Sequence, residues 1–182
     1  MNRAEVLRLT GLTNVAFDNL ANRKSLPFEP RQADGSARHT YSAFDVLKLS
    51  IALSLGAQGL DRQSAGGLVR AHSAELHEAM RDRSGRSVDV YFAFGDFVAY
   101  GATSEEAGAV RREAFVATRS ALGPAMDRRA KATKTPLIGF GAVNVSECLR
   151  RLQTLIARDP NSPDLIAQFD QIWSADGDAS AS

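Results

Sequence analysis

The amino-acid sequence predicts a mainly α fold with a small β component (α+β). Three observations carry that expectation. Apolar residues recur at helical spacing through most of the first 80 positions, behind residues suited to capping helices. A stretch rich in proline, glycine and charge, Ser25 to Thr40, interrupts them and holds Asp34-Gly35, a strong hairpin signal. After residue 87 the pattern changes, with Val88, Val90, Phe92 and Phe94 alternating with Asp89, Tyr91 and Ala93 as in a strand.

A first helix is expected from about Asn2 to Thr10, capped by Asn2, with Val6, Leu7 and Leu9 inward and Gly11 as its stop. Thr13 caps a second, about Asn14 to Lys24, in which Phe17, Leu20 and Ala21 stand at i, i+3 and i+4. Two short helices around a glycine turn make a helix-turn-helix pattern. In the following loop Pro27 and Pro30 resist helix. Arg31 precedes the Asp-Gly turn, and Arg38 and His39 follow it. A hairpin with basic arms and a polar tip reads as a wing; an ordinary exposed loop is the alternative. Ser42, with Asp45 three residues on, opens a third helix through an acidic capping box. Phe44, Val46, Leu47, Leu49, Ile51, Leu53 and Leu55 cover most of its circumference, so it should lie at the centre of the core and end at Gly56. Gly59 and Asp61 lead into a fourth helix reaching about Met80.

The charged stretch Met80 to Ser87 marks a boundary between units at 1–80 and 87–173. The second unit is expected to be a small α+β domain, serving dimerisation or an effector. Its alternating segment should form a β-hairpin turning at Gly95-Asp96 and returning through Phe97 to Tyr100. Ser104-Glu105-Glu106 opens a helix that ends near Gly123-Pro124, and a basic stretch runs from Arg128 to Lys134. Leu137 to Val145 reads as a strand, with Gly139 and Gly141 marking a bend or a close approach. Ser146 caps a helix carrying Leu149, Leu152, Leu155 and Ile156, stopped by Asp159-Pro160. Ser162-Pro163 opens a last helix, whose stripe is Leu165, Ile166, Phe169, Ile172 and Trp173. Residues 174–182 hold nothing apolar larger than alanine and read as a disordered tail.

Composition narrows the class. Of 182 residues, 22 are Lys or Arg and 21 Asp or Glu, so any binding of a polyanion must rest on clustering of the basic residues. The single cysteine, Cys148, cannot form an internal disulfide and is too little for a zinc or iron–sulfur site, which suits a reducing cytoplasm. No signal peptide is legible behind Arg3, Glu5 and Arg8. The most apolar run, Val88 to Ala102, is broken by Asp89 and Asp96 and falls short of the roughly 20 residues a membrane span needs. No membrane partner and no cofactor are expected.

The block from Asn2 to about Arg70 resembles the MerR-like winged-helix group, in particular its phage and excisionase-like relatives. The residues that carry the resemblance are Leu9-Thr10-Gly11-Leu12-Thr13, Asp34-Gly35, Arg38-His39-Thr40-Tyr41-Ser42, Phe44-Asp45-Val46-Leu47-Lys48-Leu49 and Leu55-Gly56. It covers somewhat over a third of the chain. The chain departs from the metal- and drug-sensing branch. Asp18-Asn19-Leu20 stands where that branch carries Arg-Tyr-Tyr, two residues separate Arg38 from Tyr41 rather than one, and no cysteine pair is present. The resemblance implies a sequence-specific transcription regulator that binds double-stranded DNA; a homodimer is expected because one small module seldom selects a half-site well enough. RNA polymerase and a small-molecule effector are further partners the resemblance leaves open.

On this reading the second helix enters the major groove. Asn14, Asn19 and Asn22 point away from the Phe17–Leu20–Ala21 stripe and can pair with adenine, with Thr13 at the helix start. Arg23, Lys24, Arg31, Arg38 and His39 reach phosphates, and Tyr41 stands at the wing junction. Asp18 can accept from a cytosine amino group or pair with a nearby arginine. A solvated polar face is the alternative for the whole set.

Other chemistry finds less support. His72 and His77 are five apart, one too many for a shared helical face, and read as surface residues. Glu105-Glu106 reads as helix-start electrostatics, and Gly139-x-Gly141 lacks the third glycine of a dinucleotide fingerprint. Cys148, near a helix start, is either a thiol of lowered pKa or a small core residue. No enzyme is expected. Two other functions compete: an excisionase-like architectural DNA-binding protein, and a ligand-binding or enzymatic C-terminal domain with a DNA-binding appendage. The aromatics Tyr91, Phe92, Phe94, Phe97 and Tyr100 read equally as sheet core or as a dimer interface, and with Ile172 and Trp173 they are either dimerisation material or the packing of one monomeric domain.

Overall fold

In the computed structural model, which describes residues 1–32, 39–81, 89–98, 110–133, 137–158 and 163–170, eight helices and two small antiparallel sheets make an α+β fold among the described residues. Helix α1 (Arg3–Thr10) begins as expected: the Asn2 side chain accepts from the Glu5 N–H, and the Glu5 carboxylate accepts from the Asn2 N–H. Gly11 ends it at φ 71°, a conformation that favours glycine. Helix α2 (Asn14–Asn22) starts at Thr13, whose hydroxyl accepts from the Ala16 N–H at 3.1 Å. It stops two residues before the expected end, and Lys24 adopts φ 53°.

Strands β1 (Arg31–Gln32) and β2 (His39–Thr40) pair antiparallel; the Asp34-Gly35 turn between them lies outside the described residues. Helix α3 (Ala43–Ala57) carries the expected Ser42/Asp45 capping box. It runs past Gly56, and the chain turns at Gly59, φ 96°. The expected fourth helix is two helices, α4 (Arg62–Ala71), capped by Asp61, and α5 (Ser73–Arg81), separated by His72. The break turns α5 toward a sheet. There Glu75 accepts the Val116 N–H at 3.1 Å and His72 lies edge-on to Phe92.

That sheet has the order β4-β3-β5, all antiparallel, from β3 (Val90–Val98), β4 (Val110–Thr118) and β5 (Leu137–Asn144). Two expectations are corrected here. Gly95-Asp96 is no turn; β3 continues through it, with a register shift against β5 between Asp96 and Phe97. A Cβ on Gly95 would stand 2.7 Å from Met126 Cε, so the strand packs closely against α6 there, and Asp96 is held in the ladder by Arg112 at 2.6 Å. The helix expected from Ser104 to Gly123-Pro124 is strand β4 over residues 110–118, while residues 104–106 lie outside the described ones. Helix α6 (Arg119–Thr133) then runs through Gly123-Pro124 and takes in most of the basic stretch.

Strand β5 falls where expected. A Cβ on Gly141 would meet the Phe94 ring at 2.3 Å, so this glycine serves a close approach. Helix α7 (Val145–Ala157) is capped by Asn144 rather than Ser146. The buried Ser146 hydroxyl instead accepts from the Val90 N–H at 3.0 Å, tying α7 to β3. Helix α8 (Pro163–Asp170) opens on its proline and buries Leu165 and Phe169.

One buried cluster takes residues from both sides of the 80–87 boundary, with Val6 of α1, Leu47 and Ile51 of α3, Phe92 of β3, Leu149 of α7 and Phe169 of α8. A smaller one, with Phe97, Phe115 and Met126, fills the space between the sheet and α6. Phe92, Phe94 and Phe97 are therefore core residues, the first of the two readings open for them. Ile172, Trp173 and Tyr100 lie outside the described residues. Among the described residues no helix is long and apolar enough to cross a membrane.

Candidate nucleic-acid interface

Helix α2 packs through Phe17 and Leu20 and leaves the opposite side in solvent. With about 100° per residue, the outward direction falls on Val15 and Asn22, flanked by Asp18 and Asn19. All four are exposed. The side-chain amides of Asn19 and Asn22 make no hydrogen bond among the described residues. Asn14 lies to one side, where its carbonyl accepts from Arg3 at 3.2 Å. Arg3 also bonds Asp18 at 2.7 Å and sits 5.1 Å above the Phe17 ring, so the one acidic group on this face already has its cation. The Thr13 hydroxyl is spent on the helix cap.

The far end of α2 is gripped by α4. Gly66 lies against the Ser25 backbone, where a Cβ would come 2.0 Å from the carbonyl oxygen. One turn on, Arg70 donates to the Lys24 carbonyl at 3.1 Å and to the Leu26 carbonyl. The left-handed turn at Lys24 is thus held from behind, and Arg23 and Lys24 face solvent. At the other end, the Met1 amino group donates to the Tyr41 carbonyl at 2.7 Å and the Tyr41 N–H returns to the Met1 carbonyl at 2.9 Å.

Tyr41 corrects the expected contact set. Its ring is buried edge-on between Phe17 and Phe28, each 5.9 Å away, and burial raises its hydroxyl pKa above the usual value. It supports α2 and does not reach the surface, because the junction residue follows β2 straight into the core. Arg31 and His39 are exposed on the β1–β2 ladder, where Arg31 pairs with Thr40 and His39 with Gln32. Arg38 lies outside the described residues.

Three neighbours were not legible as site residues. Val15 is 70 % exposed in the middle of the amide stripe. Arg62 and Gln63, in the first turn of α4, line a cleft with Asn19 and Arg23. The outward angle of an aliphatic residue on an amphipathic helix could have flagged Val15. Nothing local could have flagged Arg62 and Gln63, since their position depends on how α4 packs on α2.

Chemistry elsewhere is sparse. Burial raises the Cys148 pKa, so the thiol, half-buried against the core, is not an activated one. His72 and His77 are half-buried rather than surface residues, one bonded to Glu75 at 2.9 Å and the other edge-on to Phe44. Among the described residues no group of His, Cys, Asp and Glu could hold a metal ion. No model of a known protein family matches the chain, and no curated protein matches it.

Proposed function

We propose that the chain is a sequence-specific, double-stranded DNA-binding transcription regulator of the cytoplasm, acting as a dimer. In this reading α1 and α2 form the helix-turn-helix, α2 is the recognition helix and β1–β2 the wing. The observation that carries it is the outward face of α2: two unpartnered asparagine amides on a helix fixed from behind by Arg3, Gly66 and Arg70. A carboxamide offers a donor and an acceptor side by side, which matches the adenine edge in the major groove. Arg23 and Lys24 at the helix end, with Arg31, Arg38 and His39 of the wing, serve as phosphate contacts. Arg62 extends that basic rim. The MerR-like resemblance supports the same assignment, because its order of elements matches α1 to α3.

Selection of bound sequences from random duplex DNA tests the reading, and a defined motif is the expected result. Affinity should fall steeply with salt as counterions are released. Asn19→Ala or Asn22→Ala should relax preference at one base pair and cost about 1–3 kcal/mol there. Lys24→Ala should weaken all sequences alike. A salt-independent affinity, or asparagine variants that lower every affinity equally, would contradict the assignment.

Dimerisation rests on half-site logic: one small module seldom discriminates against a genome of competing sites. Strand β5 offers surface for a second copy. It is an edge strand among the described residues, and Leu137, Ile138 and Phe140 are exposed on it. Full-length protein should sediment at twice the monomer mass, and Ile138→Lys with Phe140→Lys should return it to the monomer. A monomeric wild type at micromolar concentration, with and without DNA, defeats this part of the proposal.

A further inference from the structure

We infer that the base pairs read by α2 are A·T pairs, with Val15 seated on a thymine methyl group beside adenines held by Asn19 and Asn22; this rests on the DNA reading proposed above. The major groove presents four chemistries to a helix. Guanine offers two acceptors, cytosine an amino donor, adenine an acceptor next to a donor, and thymine an acceptor and a methyl group. The outward stripe of α2 can be set against each of them.

Guanine is read by arginine or lysine. The stripe has neither, because Arg3 is committed to Asp18 at 2.7 Å and to the Asn14 carbonyl, and Arg23 lies to the side, in the cleft with Arg62. Cytosine is read by a carboxylate. The only one is Asp18, and Arg3 holds it. What remains unpartnered is two amides and one aliphatic side chain. The amides fit adenine. Val15, 70 % exposed, is an apolar group that the fold does not bury, and the thymine methyl is the only apolar group in the groove. Val15, Asn19 and Asn22 are four and three residues apart, so they lie about 6 and about 4.5 Å apart along the helix axis. At about 3.4 Å per base step these spacings amount to about two steps and about one, so the methyl and amide contacts fall within a run of about four pairs.

The test uses the full chain. Selection from random duplexes comes first, and its motif should contain A·T pairs clustered within about four base pairs. Each thymine of the motif is then replaced singly by uracil, which removes the methyl group and nothing else. Wild type should lose about fourfold in affinity at one position, the worth of one buried methyl-sized group. Val15→Ala, an exposed change toward a better helix former that withdraws two of the apolar carbons, should show a smaller penalty at that position. A motif dominated by G·C pairs overturns the inference while leaving the DNA reading intact. So does a wild type indifferent to uracil everywhere, or a Val15→Ala that keeps the full penalty. Enrichment of no sequence at all overturns the DNA reading itself.

Discussion

Helices α2 and α3 lie close together in the chain and meet water in opposite ways. Helix α3 buries nine of its fifteen residues, a lysine among them. The Lys48 ammonium stands 2.8 Å from Asp45, with the Phe44 and Phe28 rings 5.1 and 5.6 Å away. Helix α2 buries only Phe17 and Leu20 of its nine residues and turns amides outward. A helix that takes even its charges inside is a frame. A helix that leaves amides unpartnered presents them. The shape of the candidate interface therefore depends on α3 and α4, and its chemistry on α2.

That division can be broken by stability measurements. Leu49→Ala or Ile51→Ala should cost about 2–5 kcal/mol in urea denaturation, because each empties a fully buried volume in α3. Asn19→Ala and Asn22→Ala should stay within about 0.5 kcal/mol of wild type, as surface changes do. Similar losses from both pairs would mean that α2 carries core weight and that its amides are not held in reserve.

A smaller effect sharpens the comparison at the α2–α4 contact. Gly66→Ala drives a Cβ into the Ser25 carbonyl, and backbone cannot step aside as a side chain can. The expected cost is about 1–3 kcal/mol, with a uniform loss of DNA affinity as the end of α2 is displaced. Gly67 is the internal control. A Cβ there meets open space, so Gly67→Ala should stabilise by about 0.5–1 kcal/mol through helix propensity. Two substitutions one residue apart, with opposite signs, would be hard to obtain unless α4 grips the turn as described.

The same two neighbouring glycines mark the limit of what is legible in the sequence. Helix propensity alone says that either glycine weakens α4; Gly66 is instead a contact surface, and only the fold reveals it. Helices α1 to α3 were legible because their signals are local: Asn2, Thr13, Ser42 and Asp45 each bond a backbone group within three residues. Strand β4 was not. Its charges, Arg111 to Glu113, fit a helix as well as a strand, and what decides is the partner Asp96, sixteen positions back from Arg112. Gly95-Asp96 likewise reads as a turn until Met126 and Arg112 are placed beside it. Of the candidate site, the asparagines and the basic helix end were read from periodicity. Tyr41 is buried rather than in the contact set, since its place in the sequence says nothing of which way its ring turns.

Lys24 gives the smallest expected effect and the cleanest separation of frame from face. It is the one non-glycine residue at positive φ among those described, at 53°. A left-handed conformation costs an ordinary residue roughly 1–2 kcal/mol, and the turn persists because Arg70 holds its carbonyl and its N–H reaches Ala21. Lys24→Gly removes that strain at the expense of more freedom in the unfolded chain, so the net gain in stability should be up to about 1 kcal/mol. It also removes a proposed phosphate contact. DNA affinity should fall for every sequence, and the slope of log affinity against log salt should shrink by about one. A more stable protein that binds DNA more weakly would mean that the strain is kept for the sake of the ammonium group. Unchanged affinity in the stabilised variant would remove Lys24 from the interface, and a loss of stability would mean that the Lys24 side chain packs where the turn was argued to leave it free.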